Sequence, residues 1–280
     1  ITTFEAGHVP GARSILLDVC GERVLYSGDI NLTSNVITPA LDLSSYPTED
    51  VDALIIESTY GDQNHPDRDE VEQELFDKVQ ETLEQGGTAL IPTFSIGRAQ
   101  ELIVLLTERF SHVPIHFDGM AKKITDIFLA QGVIHEERLR KAFEKVQCIE
   151  HNDQRKQVVD KQCIIVTTSG MLDGGPVLYY LPKIADDPMS SVLLTGYQAE
   201  ETNGRRLLEE GHVIADNQRI DVKCFVKKYD LSAHAGADQL LQLAKHVNPK
   251  TVVLNHGDVE PMMELKRRLE DELGFTAIAP

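Results

Sequence analysis

The amino-acid sequence predicts an α/β protein. Apolar runs of strand length alternate with amphipathic segments of helix length, and the runs stop at turn residues. Several runs are continuously apolar rather than alternating, the pattern of strands covered on both faces. With 280 residues the chain has material for one large domain or two ordinary ones.

Taken in order, "FEAGH" reads as a strand end, leaving His8 just beyond it. "ARSILLDV" and "RVLYSGD", joined by "CGE", predict a hairpin with Gly21 in its turn. "DALIIEST", "TALIPTF", "CIIVTTSG", "SVLLTG" and "TVVLNHG" predict further strands, several rich in β-branched residues. Between them, "RDEVEQELFDKVQETLEQGG" spaces Val71, Leu75, Val79 and Leu83 for one helix face and stops at Gly86-Gly87. "SIGRAQELIVLLTERF", "GMAKKITDIFLAQG" and "EERLRKAFEKV" also read as helices. Asp238 is expected to cap "QLLQLAKHV", and Pro261 suits the first turn of "MMELKRRLEDEL".

Composition narrows the class. Apolar residues make up 41% and charged residues 26%, close to globular averages. No run approaches the ~18 apolar residues of a membrane span, and "ITTFEAGHVPG" lacks the basic-then-apolar order of a signal peptide. Cys20, Cys148, Cys163 and Cys224 are scattered and form no C-x-x-C pair, which argues against a cysteine zinc site or a disulfide framework and for a reducing, cytoplasmic setting. The net charge of −18 repels phosphate backbones, so an RNA partner would need a local basic groove or metal ions.

The strand ends carry the chemistry. Asp29 follows "LYSG", Glu57 ends "LIIE", His256 follows "VVLN", and His234 lies in a loop that opens a helix. Open α/β sheets collect function at the carboxyl ends of their strands. Acid and imidazole groups there are donors for a divalent cation. Taken singly, each has an ordinary reading: histidines such as His65, His116 or His246 are structural or exposed, and Asp29 or Glu57 serve as turn or helix caps. "TFSIGRAQ" sets Arg98 at a strand-to-helix junction where an anion is favoured, and "TTSGMLDGGP" offers a Gly-rich turn with Ser169 and Gly170. Both have the alternative of an ordinary tight connection.

"AGHVPGARSILLDVCGERVLYSGD", "IIESTYG", "SAH" and "LNHG" resemble, in that order, the later motifs of the β-CASP branch of metallo-β-lactamase-fold nucleases. That branch includes the nuclease subunit of the cleavage and polyadenylation specificity factor, its archaeal and bacterial relatives, and ribonuclease J. "PTFSIGRAQELI", "TTSGMLDGGP" and "LLTGYQAEETNGRRLL" resemble blocks of the inserted domain. The resemblance implies a metallo-β-lactamase-like αββα core, in part, over residues 1–58, a β-CASP domain over 59–228, and the core resumed over 229–280. It implies two Zn2+ ions, with His8, Asp29 and His256 as metal ligands and a metal-bridging hydroxide as nucleophile. Glu57 and His234 are implied to act together at the scissile phosphate, His234 as proton donor. Ser232 beside it offers a hydroxyl to a phosphate oxygen, or serves as a turn residue. The family's H-x-H-x-D-H signature is absent from the sequence, and truncation ahead of residue 1 is the expected reason. The implied activity is a ribonuclease on single-stranded RNA, endonucleolytic with a possible 5′ exonuclease mode, and a homodimer is common in the family. Two alternatives are a non-catalytic RNA-binding scaffold and a small-substrate metallo-hydrolase; retention of the chemically matched residues weighs against the first and the inserted blocks against the second.

Overall fold

The computed structural model of the protein describes residues 1–132, 135–158 and 161–280. Strands β1 (Thr2–Glu5), β2 (Arg13–Val19), β3 (Glu22–Tyr26) and β4 (Ala53–Glu57) come first. There follow α1 (Arg68–Glu84), β5 (Thr88–Pro92), α2 (Arg98–Arg109), β6 (Ile115–Asp118), α3 (Ala121–Gln131), α4 (Glu136–Lys145), β7 (Gln147–Cys148) and α5 (Asn152–Val158). Next are β8 (Cys163–Thr167), α6 (Val177–Ile184), β9 (Ser191–Leu194), α7 (Asn203–Glu210), β10 (His212–Ala215), β11 (Gln218–Asp221) and β12 (Phe225–Lys228). The order finishes with α8 (Ala237–Val247), β13 (Thr251–Asn255), α9 (Val259–Leu273) and β14 (Thr276–Ile278).

The chain divides into two compact units, Ile1–His65 with Ala233–Pro280, and Pro66–Ser232. In the first unit the sheet order is β1-β2-β3-β4-β13-β14. The expected hairpin pairs β2 with β3 antiparallel through Cys20 and Gly21, both at positive φ. Leu25, Leu54, Ile56, Val252 and Leu254 of the sheet share a core with Leu240, Leu243 and Val247 of α8 and Leu265 and Leu269 of α9. Along β4 and β13 buried positions alternate with half-buried ones, so only one face of these strands is fully enclosed, where continuous apolar runs had implied two.

The expected Asp238 cap is corrected by the structure. Helix α8 begins at Ala237 with the extended Gly236 as its N-cap, and the Gly236 N–H donates to Gln239 Oε1 at 3.2 Å. Asp238 sits inside the first turn, where its carboxylate accepts from Arg268 Nη2 at 2.9 Å and Asn64 Nδ2 at 2.8 Å. Pro261 does lie in the first turn of α9.

In the second unit the sheet order is β12-β9-β5-β8-β6-β7 with every pairing parallel, beside a separate β10–β11 hairpin. Here β5, β8 and β9 are buried at every position, as their continuous apolar runs require. Among the described residues, no helix is long and apolar enough to cross a membrane.

Candidate metal centre

Strand direction brings the acid and imidazole side chains together. β1 and β3 both run antiparallel to β2, β4 runs parallel to β3, and β13 runs parallel to β4. Four carboxyl ends therefore share one edge of the sheet, with His8 and Asp29 in the loops after β1 and β3, Glu57 ending β4 and His256 directly after β13. Local packing fixes the loops. Gly7 has φ +78 and lies so close to Asn31 that a Cβ would sit 2.2 Å from its carbonyl oxygen, a position only glycine fills. The Ala235 N–H donates to the Ile30 carbonyl at 2.6 Å, tying the His234 loop to the segment that follows Asp29.

Asp29 stands between two histidines. Its Oδ2 is 3.9 Å from His8 Nε2 and its Oδ1 is 3.7 Å from His256 Nε2. The His8 and His234 ring centroids are 4.4 Å apart, and the His234 and His256 rings stack at 5.9 Å. His8 Nδ1 donates to the Ala233 carbonyl at 2.9 Å, which fixes the tautomer with a lone pair on Nε2. Burial, then the charge of neighbouring His234, pushes the His8 pKa below the ordinary imidazole value, so the ring stays neutral and able to ligate.

Glu57 is almost fully buried and accepts from three donors: Ile30 N–H at 2.7 Å, Thr59 Oγ1 at 2.7 Å and His234 Nδ1 at 2.8 Å. Burial alone would raise its pKa, but the His234 hydrogen bond and charge, with Thr59 and Ile30, hold it below the usual carboxylate range. Glu57 is thus a fixed anion. With His234 Nδ1 committed to it, Nε2 is the ring nitrogen turned away from Glu57.

These residues suit a divalent cation. Ligand atoms of His8, Asp29 and His234 lie within 4.8 Å of one another, and His256 Nε2 lies 3.7 Å from Asp29 on its other side. Since Glu57 already holds His234, His8, Asp29 and His256 are the better-placed donors. Donors on a tetrahedral zinc stand about 3.4 Å apart, given bonds of about 2.1 Å, so the Asp29 separations of 3.9 and 3.7 Å need only a small inward adjustment. An imidazole and carboxylate donor set is one that zinc, among other divalent metals, accepts.

Two family models match the sequence in tandem: the Beta-Casp domain over residues 99–207, and the Zn-dependent metallo-hydrolase RNA specificity domain over residues 219–280. The chain belongs to the β-CASP family. Across 284 residues it is 42% identical to "Probable RNase MJ4" of Methanocaldococcus jannaschii, covering 99% of this chain and 66% of the relative. An RNase of Saccharolobus solfataricus, aCSPSF2, is 36% identical over 100% of this chain and 57% of its own length. Cleavage and polyadenylation specificity factor subunit 3 of Dictyostelium discoideum is 30% identical over 96% of this chain and 36% of its length. The β-CASP chain thus spans less than two thirds of the length of these curated relatives. Its mixed α/β architecture is that of a metallo-β-lactamase-like fold with a β-CASP insert.

The remaining sequence-predicted residues lie in the second unit of the β-CASP chain. Arg98 starts α2, but its guanidinium is buried and engaged by Glu101, which also binds Arg68. Ser169 and Gly170 follow β8, and a Cβ on Gly170 would stand 3.1 Å from the Thr93–Phe94 backbone after β5, so two strand ends approach closely there. Ser232 N–H donates to Asp230 Oδ1 at 3.3 Å. Sequence reasoning missed Ser58 and Thr59, although both sit beside Glu57 in "IIESTYG". It also missed the Ala233 carbonyl and Ile30 N–H, backbone groups that any residue could supply.

Proposed function

We propose that the protein is a zinc-dependent ribonuclease that hydrolyses phosphodiester bonds of single-stranded RNA, using two Zn2+ ions. The convergence of His8, Asp29 and His256 beside the Glu57–His234 pair carries this reading. The RNase names of its relatives and the RNA specificity model support it. In this reading residues 1–58 and 229–280 form the metallo-β-lactamase-like part and 59–228 the β-CASP domain. A cytoplasmic location is supported by the free cysteines. A homodimer is part of the reading through family resemblance alone.

His8 and His256 each offer Nε2 to a cation, and Asp29 offers one oxygen to each side. When bound, zinc supplies Lewis acidity toward the phosphate and an acidified water as nucleophile. Glu57 holds the His234 ring through Nδ1, so that Nε2–H can pass a proton to the departing sugar oxygen. Ser232, Ser169 and Gly170 are the proposed phosphate contacts. Arg98 does not enter this role because Glu101 occupies its guanidinium.

The test is cleavage of an end-labelled single-stranded RNA. Chelation is expected to abolish cleavage and zinc to restore it, while His234→Asn slows it by about 10²–10⁴ with zinc still bound. Cleavage that persists under chelation, or at an unchanged rate in His234→Asn, would refute the assignment.

A further inference from the structure

His256 holds an uncommon backbone. Its φ is +50, in the left-handed region that non-glycine residues rarely occupy, and Gly257 follows at φ +150. Such strain persists only where neighbours over-determine it. The neighbour here is Ser58, fully buried directly after β4.

Beyond the last β4–β13 pair, Glu57 with Asn255, Ser58 takes hold of the turning chain. Its N–H donates to the His256 carbonyl at 2.8 Å. Its hydroxyl lies 3.0 Å from the Asn255 carbonyl and 3.2 Å from that of His256. Gly257 then folds so close that a Cβ would meet the Ser58 carbonyl carbon and oxygen at 2.7 Å and Oγ at 2.9 Å. Any side chain at 257 would push the loop off Ser58. The His8 and His234 rings are held by hydrogen bonds at Nδ1, whereas the Ser58 contacts to His256 are made at its main-chain carbonyl.

We propose that Ser58 and Gly257 are positioning residues for His256, a backbone latch that aims its imidazole at Asp29. The latch rests on the proposed metal role of His256, but it is a property of the chain that metal-free protein also displays. A serine serving only the fold would lower the melting temperature on replacement and leave zinc affinity alone. A latch does the reverse: it moves His256.

The experiment compares the purified native protein with Ser58→Ala and Gly257→Ala. Imidazole NMR signals are recorded without metal, and zinc titrations and thermal melts follow. The latch predicts a shifted His256 signal with His8 and His234 signals in place. Zinc affinity should fall about 10–100-fold, the usual cost of losing a group that orients a ligand, with Gly257→Ala the more affected. If Gly257→Ala does not fold, Ser58→Ala decides, because it keeps the backbone and removes only the hydroxyl. A folded Ser58→Ala with native His256 signals and native zinc affinity would overturn the latch. If the unaltered protein binds no zinc while Ser58→Ala still shifts the His256 signal, the latch stands and the zinc-nuclease reading falls.

Discussion

At the residue scale, hydrogen-bond direction settles what each group can do. Glu57 accepts from Ile30, Thr59 and His234, which suits it to hold an imidazole rather than to donate a proton. His8 and Glu57 both have folded-state pKa values below their ordinary ones, of 6.5 and 4.5. Each therefore stabilises the metal-free fold above its ordinary value, and that stability is lost as pH falls through the lower folded value. The melting temperature of chelated protein should fall as pH drops below the ordinary imidazole value of 6.5, less steeply in His8→Asn, with Glu57 adding a further loss below its ordinary 4.5. Superimposable profiles for the two proteins would show that His8 is not the group responsible. The sequence displayed the acids and imidazoles because their letters are unusual at strand ends. The groups that orient them were less visible: Ala233 and Ile30 act through the main chain, and Ser58 and Thr59 look like ordinary turn residues.

At the element scale, long apolar runs were legible and short strands were not. β5, β8, β9 and β13 stood out as continuous runs, whereas β7, β10, β11, β12 and β14 are two to four residues long and mostly exposed or mixed. Their strand state comes from pairing with neighbours, which no local pattern encodes. Helix α2 shows the other limit: Arg98 reads locally as an anion-site residue at a strand-to-helix junction, yet it is buried and pairs with Glu101 inside the unit. Removing one partner of a buried pair leaves an uncompensated charge. Glu101→Ala should therefore cost about 3–5 kcal/mol in urea unfolding, and the double variant Arg98→Met/Glu101→Leu should regain most of it. A Glu101→Ala variant with native stability would show that the pair is held too loosely to matter.

At the scale of the whole molecule, the chain carries a net charge of −18, while the substrate proposed for it is an anion. Averaged over its surface the field is repulsive, so attraction has to be local. The edge of the first sheet supplies such a place once cations occupy it, because four parallel strand ends deliver His8, Asp29, Glu57 and His256 to one locus and the α8 loop adds His234. The most direct test of that account is zinc content per protein molecule, measured by mass spectrometry for the native protein and for Asp29→Asn. Bound zinc that is lost or sharply reduced when Asp29 no longer carries its charge is the predicted result. A native protein that purifies and titrates without zinc, or an Asp29→Asn variant with a full complement, would contradict it.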